Sequence, residues 1–423
     1  MQTTSLKLKN GLRVLLMDNG AFPSVTALLL VGAGSRYETP QNNGIAHFFE
    51  HMAFKGSAKY PTALSLSTLL DSLGSQQNAF TSKDHTGYWI KAPAKHLETV
   101  LDVLAEMVLA PLLKTEEIER EKGVIIEEIN MYEDLPQYKV WDLFENLLFA
   151  NNPLGYLTTG TKETVSRFNR RTFTTYMSSL YRPNNAVLVL AGGIKGKEKE
   201  IAAVIEAKFA HWEQQTLPAC LPVTSKQSKA QTLFTAKKTE QAHFVLGYPA
   251  LSRGSSERYV LSLLAAIMGG GMSSRLFYEL RERRGLCYYI QSGTELYEET
   301  GYLYTRAGVN VSRAKIEEAL SLIIKEQNKL LKGEVKAEEL SRAKEMLKGR
   351  TVLSLEDSQH LANFFGNKLL FNQKENSLEK IIAQIDKVSL SEVVELAIRI
   401  IKPERLNLSV ISPHEALTLP QTL

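Results

Sequence analysis

The chain reads twice, and that repetition limits its fold more than any other feature. The run Gly87-Tyr88-Trp89-Ile90-Lys91-Ala92 in the first half returns in the second as Gly301-Tyr302-Leu303-Tyr304-Thr305-Arg306-Ala307. The signals around the two runs also follow one order. In the first half, β-prone segments at 5–8 and 12–17 flank Lys9-Asn10-Gly11, and Asn-Gly between such segments marks a hairpin. An apolar strand at 25–31 follows, then helices near 45–54 and 62–73 and strands at 76–82 and 86–92. Long helical patterns cover 94–110 and 115–149, and a strand closes the half at 186–190. The second half gives a strand at 244–247, helices at 256–268 and 273–283, and a strand pair at 288–293 and 301–307. Long helices at 313–331 and 337–353 and a last strand at 406–411 complete it.

Strands adjacent in sequence and joined by short turns favour mostly antiparallel sheets packed on helices. The expected fold class is therefore α+β, with two homologous domains, each a mostly antiparallel sheet packed against helices. Each copy has about 200 residues, a normal domain size. Both periodicities break over 211–230, around Gln214-Gln215-Thr216-Leu217-Pro218 and 225–228. The expected domains are 1–215 and 216–423.

A chain of 423 residues exceeds what one core organises. Its 44% hydrophobic and 23% charged content is that of a soluble globular protein. With 50 basic against 46 acidic residues, the net charge of +4 gives no reason to expect nucleic acid or a membrane as partner. The apolar run at 25–31 is too short to span a bilayer. Two cysteines, Cys220 and Cys287, exclude a disulfide framework and a cysteine-based zinc site. Cys287 reads as a small buried residue. The chain's start lacks an apolar run after a basic segment, so the expected location is cytoplasmic.

His47-Phe48-Phe49-Glu50-His51 reads H-x-x-E-H, the reversed order of the H-E-x-x-H zinc-protease motif. On a helix, His47 and His51 are one turn apart and share a face. Two imidazoles so placed can grip one metal ion, and Glu50 beside them could take a proton from a water that the metal polarises. The alternative is a pair of surface histidines beside a solvated glutamate. A catalytic zinc needs a third protein ligand. The helix starting at Thr115 offers carboxylates, with Ile118, Glu121, Ile125, Glu128 and Tyr132 on one stripe. Glutamates in a core-like stripe need a partner, which a metal would supply. Glu127 lies on the neighbouring face, and a solvated, salt-bridged helix is the bland alternative.

The stretch from Asn43 through His47-Phe48-Phe49-Glu50-His51 to Ser57 resembles the signature of the pitrilysin-type, or inverzincin, zinc metallopeptidases. The likeness runs through nearly the whole chain. It is to the short two-domain form, similar to the mitochondrial processing peptidase beta subunit and its bacterial homologues. The resemblance implies a LuxS/pitrilysin-like fold and Zn2+ as cofactor. It makes Glu128, which 76 residues separate from His51, the third ligand with His47 and His51. It gives Glu121, seven residues earlier, a supporting role in catalysis, and Glu50 the role of base. The segment 74–82 is similar to the family's active-site edge strand, so Asn78, Ala79 and Phe80 are expected to pair with a peptide substrate. In Leu280-Arg281-Glu282-Arg283-Arg284-Gly285-Leu286-Cys287-Tyr288, the residues Arg281 and Tyr288 match the family's substrate-binding pair.

The family implies a zinc-dependent endopeptidase that hydrolyses unfolded peptides inside a dimeric chamber. Both residue sets occur in this chain, which favours a homodimer over a heterodimer. The rival reading is a non-catalytic or partner-dependent subunit of a heterodimeric peptidase or processing complex. Cobalt or manganese would suit the same ligands. Two further features are read blandly. Gly269-Gly270-Gly271-Met272-Ser273-Ser274 lacks the ending of a phosphate-binding loop and is taken as a turn between helices. His85 is taken as a solvent-exposed turn histidine.

Overall fold

The computed structural model describes residues 2–224, 227–373 and 377–417. Residues 225 and 226, in the expected join, lie outside the described residues. The chain divides into two units.

The first unit is built on β1 (Gln2–Lys7), β2 (Arg13–Asp18), β3 (Ser24–Val31), β4 (Gln76–Thr81), β5 (Thr86–Pro93) and β6 (Ala186–Gly192). Their order in the sheet is β1-β2-β6-β3-β5-β4. Only β2 and β6 run parallel. The expected hairpin joins β1 to β2, pairing Lys7 with Arg13, and Gly11 takes φ +93° in the turn. Successive residues of β3 feed two cores, as strand geometry requires. Val25, Ala27, Leu29 and Val31 pack with Ile45, Phe48, Phe49, Leu101 and Leu104. Leu28 and Leu30 pack with Leu361, Ala362 and Phe365 on the opposite face. Burial on both faces explains why this strand reads as an apolar run interrupted only at Thr26, whose buried hydroxyl meets Ser358 Oγ at 2.8 Å.

The second unit is built on β7 (Gln231–Ala236), β8 (Gln241–Pro249), β9 (Cys287–Leu296), β10 (Gly301–Asn310) and β11 (Asn407–Ser412). The order is β7-β11-β8-β10-β9, again with one parallel pair, β7 and β11. This repeats β2-β6-β3-β5-β4 of the first sheet strand for strand, without β1. Tyr88 on β5 and Tyr302 on β10 are both fully buried, which places the sequence echo on matching strands. By the same match, β4 and β9 are equivalent outer strands.

The units are not separated by one cut near residue 215. Unit one is Met1–Ile129, Tyr156–Leu221 and Leu353–Asn376, and unit two is the remainder. Each half of the chain thus gives a helix to the other unit. The helix Ser358–Leu370 covers the first sheet through Leu361 and Phe365. The helix Pro136–Leu148 covers the second through Val140, Phe144 and Leu148. A Cβ on Gly247 would stand 2.7 Å from the Phe144 ring, so that strand position is left bare for the helix.

The 115–149 pattern is two helices, Thr115–Asp134 and Pro136–Leu148, because Pro136 cannot continue the backbone hydrogen-bond ladder and suits a first turn. The segment expected as a helix at 273–283 contains a π-helical turn, Phe277–Glu282. Among the described residues, no helix is long and apolar enough to cross a membrane.

Candidate metal centre

The histidines sit on the helix Ile45–Met52, whose start is held from outside its own sequence. Gly44 takes φ +95°, and a Cβ there would come within 2.6 Å of the Thr159 carbonyl oxygen. The buried Glu38 carboxylate accepts hydrogen bonds from the Gly44 and Ala46 N–H groups at 2.7 and 2.9 Å, and from Asn43 Nδ2 at 2.8 Å. Free N–H groups at a helix start favour an acid there. Burial nonetheless pushes the Glu38 carboxyl up to about 7. Phe48 and Phe49 anchor the helix, meeting Phe173 and Tyr181 edge-on with ring centroids 5.0 and 4.7 Å apart. With those rings inward, His47, Glu50 and His51 share the remaining face.

The helix Thr115–Asp134 brings the carboxylates. Glu128 Oε2 lies 3.5 Å from His47 Nε2 and 3.6 Å from His51 Nε2. The three ligand atoms lie within 4.8 Å of one another. Glu127 is exposed and outside this group. Burial, with His51 alongside, pulls the His47 pKa down to about 3, leaving a neutral imidazole with a free lone pair. Two imidazoles and one carboxylate match the donor set of catalytic zinc sites, so the residues fit the ion.

Glu121 is buried behind His51. Its Oε1 is 2.9 Å from His51 Nδ1, and its Oε2 is 2.6 Å from Lys55 Nζ. Burial would raise the Glu121 pKa, but hydrogen bonds from His51 and Lys55 outweigh it and lower the net value. The Nδ1–H then donates to the carboxylate, leaving Nε2 to face Glu128. His47 Nδ1 has no hydrogen-bond partner among the described residues. Glu50 accepts a hydrogen bond from Thr81 Oγ1 at 2.6 Å. Burial raises its pKa, the direction that suits a base working near neutral pH.

Asn78, Ala79 and Phe80 lie on β4, the outermost strand of the first sheet, and β4 ends at Thr81. The Ala79 N–H bonds to Asn78 Oδ1 at 2.9 Å. In the second unit, the Arg281 guanidinium carbon stands 5.7 Å from the Tyr288 ring centroid and 4.9 Å from that of Phe277. Tyr288 is 73% exposed. Cys287 is buried as expected, and burial pushes its thiol up to about 11. His85 is not the solvent-exposed residue expected. Its Nδ1 meets Ser82 Oγ at 2.8 Å and Asp84 Oδ1 at 2.9 Å, and its ring contacts those of Phe80 and Phe371 edge-on. Sequence reasoning missed Glu38 and Thr81. Glu38 precedes the helix by a loop and fits no local capping pattern, and Thr81 is an ordinary strand residue.

Residues 13–162 match the insulinase family, peptidase family M16, and residues 167–347 match the peptidase M16 inactive domain. An uncharacterized zinc protease of Bacillus subtilis is 36% identical over 406 residues, covering 96% of this chain and 97% of its own. The chain belongs to peptidase family M16. An uncharacterized zinc protease of Streptomyces coelicolor is 33% identical to this M16 chain over 412 residues, covering 96% of it and 88% of its own length. The two-unit α+β fold is that of solved M16 proteins, among them a peptidase M16 inactive domain from Pseudomonas fluorescens, with a TM-score of 0.87 at 17% identity over 99% of this chain and 100% of that one. A protease from Helicobacter pylori superposes with a TM-score of 0.90 at 24% identity, over 97% of this chain and 99% of that one.

Proposed function

We propose that this M16 chain is a zinc-dependent endopeptidase acting on unfolded peptides. The observation that carries this reading is the single oxygen Glu128 Oε2 facing Nε2 of both His47 and His51, with Glu50 on the same helix face. His47, His51 and Glu128 would hold the zinc ion. When bound, the ion supplies Lewis acidity, polarising water and the scissile carbonyl. Glu50 accepts the proton of the attacking water and returns it to the leaving amine, held in place meanwhile by the Thr81 hydroxyl. Glu121 acts through His51 by fixing its ring. The outer edge of β4 pairs with the peptide backbone, which gives affinity without demanding particular side chains.

Arg281 and Tyr288 serve as substrate-binding residues. The match of the second half to a domain named inactive supports a division in which the first unit does the chemistry and the second binds. The working form in this reading is a homodimer that encloses an unfolded peptide, and light scattering should find the active species at twice the chain mass. Cleavage of an unfolded fluorogenic peptide should vanish when the purified chain is stripped of metal and return when zinc is restored. Undiminished cleavage by a chain shown to be metal-free would overturn the reading.

A further inference from the structure

The second unit carries an open cleft of about 690 Å³. One wall is the first half of β9, at Tyr289, Ile290 and Gln291, and the rest includes Met272, Arg306 and Arg350. β9 is the outermost strand of its sheet, so its far side presents unpaired backbone groups. The strand continues past Gln291 to Leu296. An extended chain paired along that edge would therefore run through the cleft rather than end in it.

The charge of the cleft is one-sided. No residue lining it is acidic. Arg306 is held by neutral groups: its Nε and Nη2 donate to Gln291 Oε1 at 3.1 and 2.7 Å, and its guanidinium carbon lies 5.8 Å from the Trp141 ring centroid. Among the described residues, neither Arg306 nor Arg350 has a carboxylate within ion-pair distance. Other arginines of the same unit do, with Arg275 on Glu339 and both Arg283 and Arg284 on Glu279. Two guanidinium groups without a counter-ion, beside a free strand edge, suit a carboxylate brought in by a paired peptide.

We propose that this cleft recognises an acidic side chain, Asp or Glu, within an extended peptide that pairs along the outer edge of β9. Arg306 and Arg350 hold the carboxylate, and the strand edge holds the backbone. The peptide as ligand rests on the peptidase reading, whereas the preference for acid rests on the two arginines. Arg306 is pre-set by Gln291 and Trp141, so little side-chain freedom is lost on binding.

The test uses the full zinc-loaded chain and short labelled peptides with an amidated C-terminus, one with a central Glu and one with Gln in its place. Stopped-flow anisotropy, read before turnover, should show the Glu peptide binding about tenfold tighter, the effect of one charge-assisted hydrogen bond. Arg350→Gln, at an exposed position, and Arg306→Gln should each remove that advantage while leaving affinity for the Gln peptide unchanged. Equal affinities for the two peptides would overturn the proposal, as would an advantage that survives both substitutions. So would a gain seen only when the Gln peptide carries a free C-terminus. A chain that binds neither peptide also ends the proposal. Cleavage measured on the same sample then reports separately on the peptidase reading.

Discussion

Glu121 Oε1 lies 2.9 Å from His51 Nδ1, and that contact fixes which nitrogen of His51 faces Glu128. A carboxylate with two donors, His51 and Lys55, holds the ring in one orientation. Replacing Glu121 by Gln should weaken zinc binding by about 10–100-fold, the usual effect of losing a carboxylate behind a ligating imidazole. Competition with a chromogenic chelator measures this, with circular dichroism confirming an intact fold. Unchanged zinc affinity would remove Glu121 from the site.

Gly44 starts the histidine helix at φ +95°, with no room for a side chain beside Thr159 and Gly160. Gly44→Ala should therefore destabilise the chain by about 2 kcal/mol or more, from backbone strain and a clash that backbone atoms cannot relieve. Urea denaturation gives the value. A midpoint equal to that of the parent chain would show that the helix start can shift freely.

Phe365 belongs to the second half of the sequence but packs under the first sheet, against Leu28, Leu30 and Val189. Phe365→Ala should cost about 3–5 kcal/mol as a large-to-small core change. Amide exchange should speed up in β3 and β6 and stay slow in β8 and β11. Loss of protection confined to β8 and β11 would contradict the exchanged helices.

Much of this could be read in the sequence because it depends on local pattern. The Asn10-Gly11 turn, the apolar run at 25–31 and the H-x-x-E-H spacing each fix a structure within a few residues. The family likeness then singled out Glu128. The partner of an apolar helix face is a different kind of information. Val140, Phe144 and Leu148 show that a face is buried but not which sheet buries it, so the exchange of Pro136–Leu148 and Ser358–Leu370 went unread. β7 was also unread, since its half-exposed residues carry little apolar signal. Glu38 reaches its helix start across a loop, and only the folded chain brings the two together.

Asp102 joins three segments of the first unit, accepting from Lys208, Lys59 and Tyr60. Burial would raise its pKa, but those three donors outweigh it and hold it at about 2. Its folded pKa lies below the unfolded value, so its stabilisation is complete above about pH 4 and fades as pH falls toward 2. Asp102→Asn should lose about 2 kcal/mol near neutral pH, and the gap from the parent chain should close in acid. Urea midpoints of both chains across that range measure it. A gap that stays constant with pH would show that charge plays no part.

The most direct test of the chemistry is Glu50→Gln, assayed on a purified sample of known zinc content. The amide keeps the shape of Glu50 and a contact for Thr81 but cannot accept a proton. Zinc content should match the parent chain, and peptide turnover should fall by at least about 10²–10⁴-fold, the range for loss of a general base. Full turnover with a full complement of zinc would contradict the assignment of Glu50 as the base, and with it the proposed mechanism.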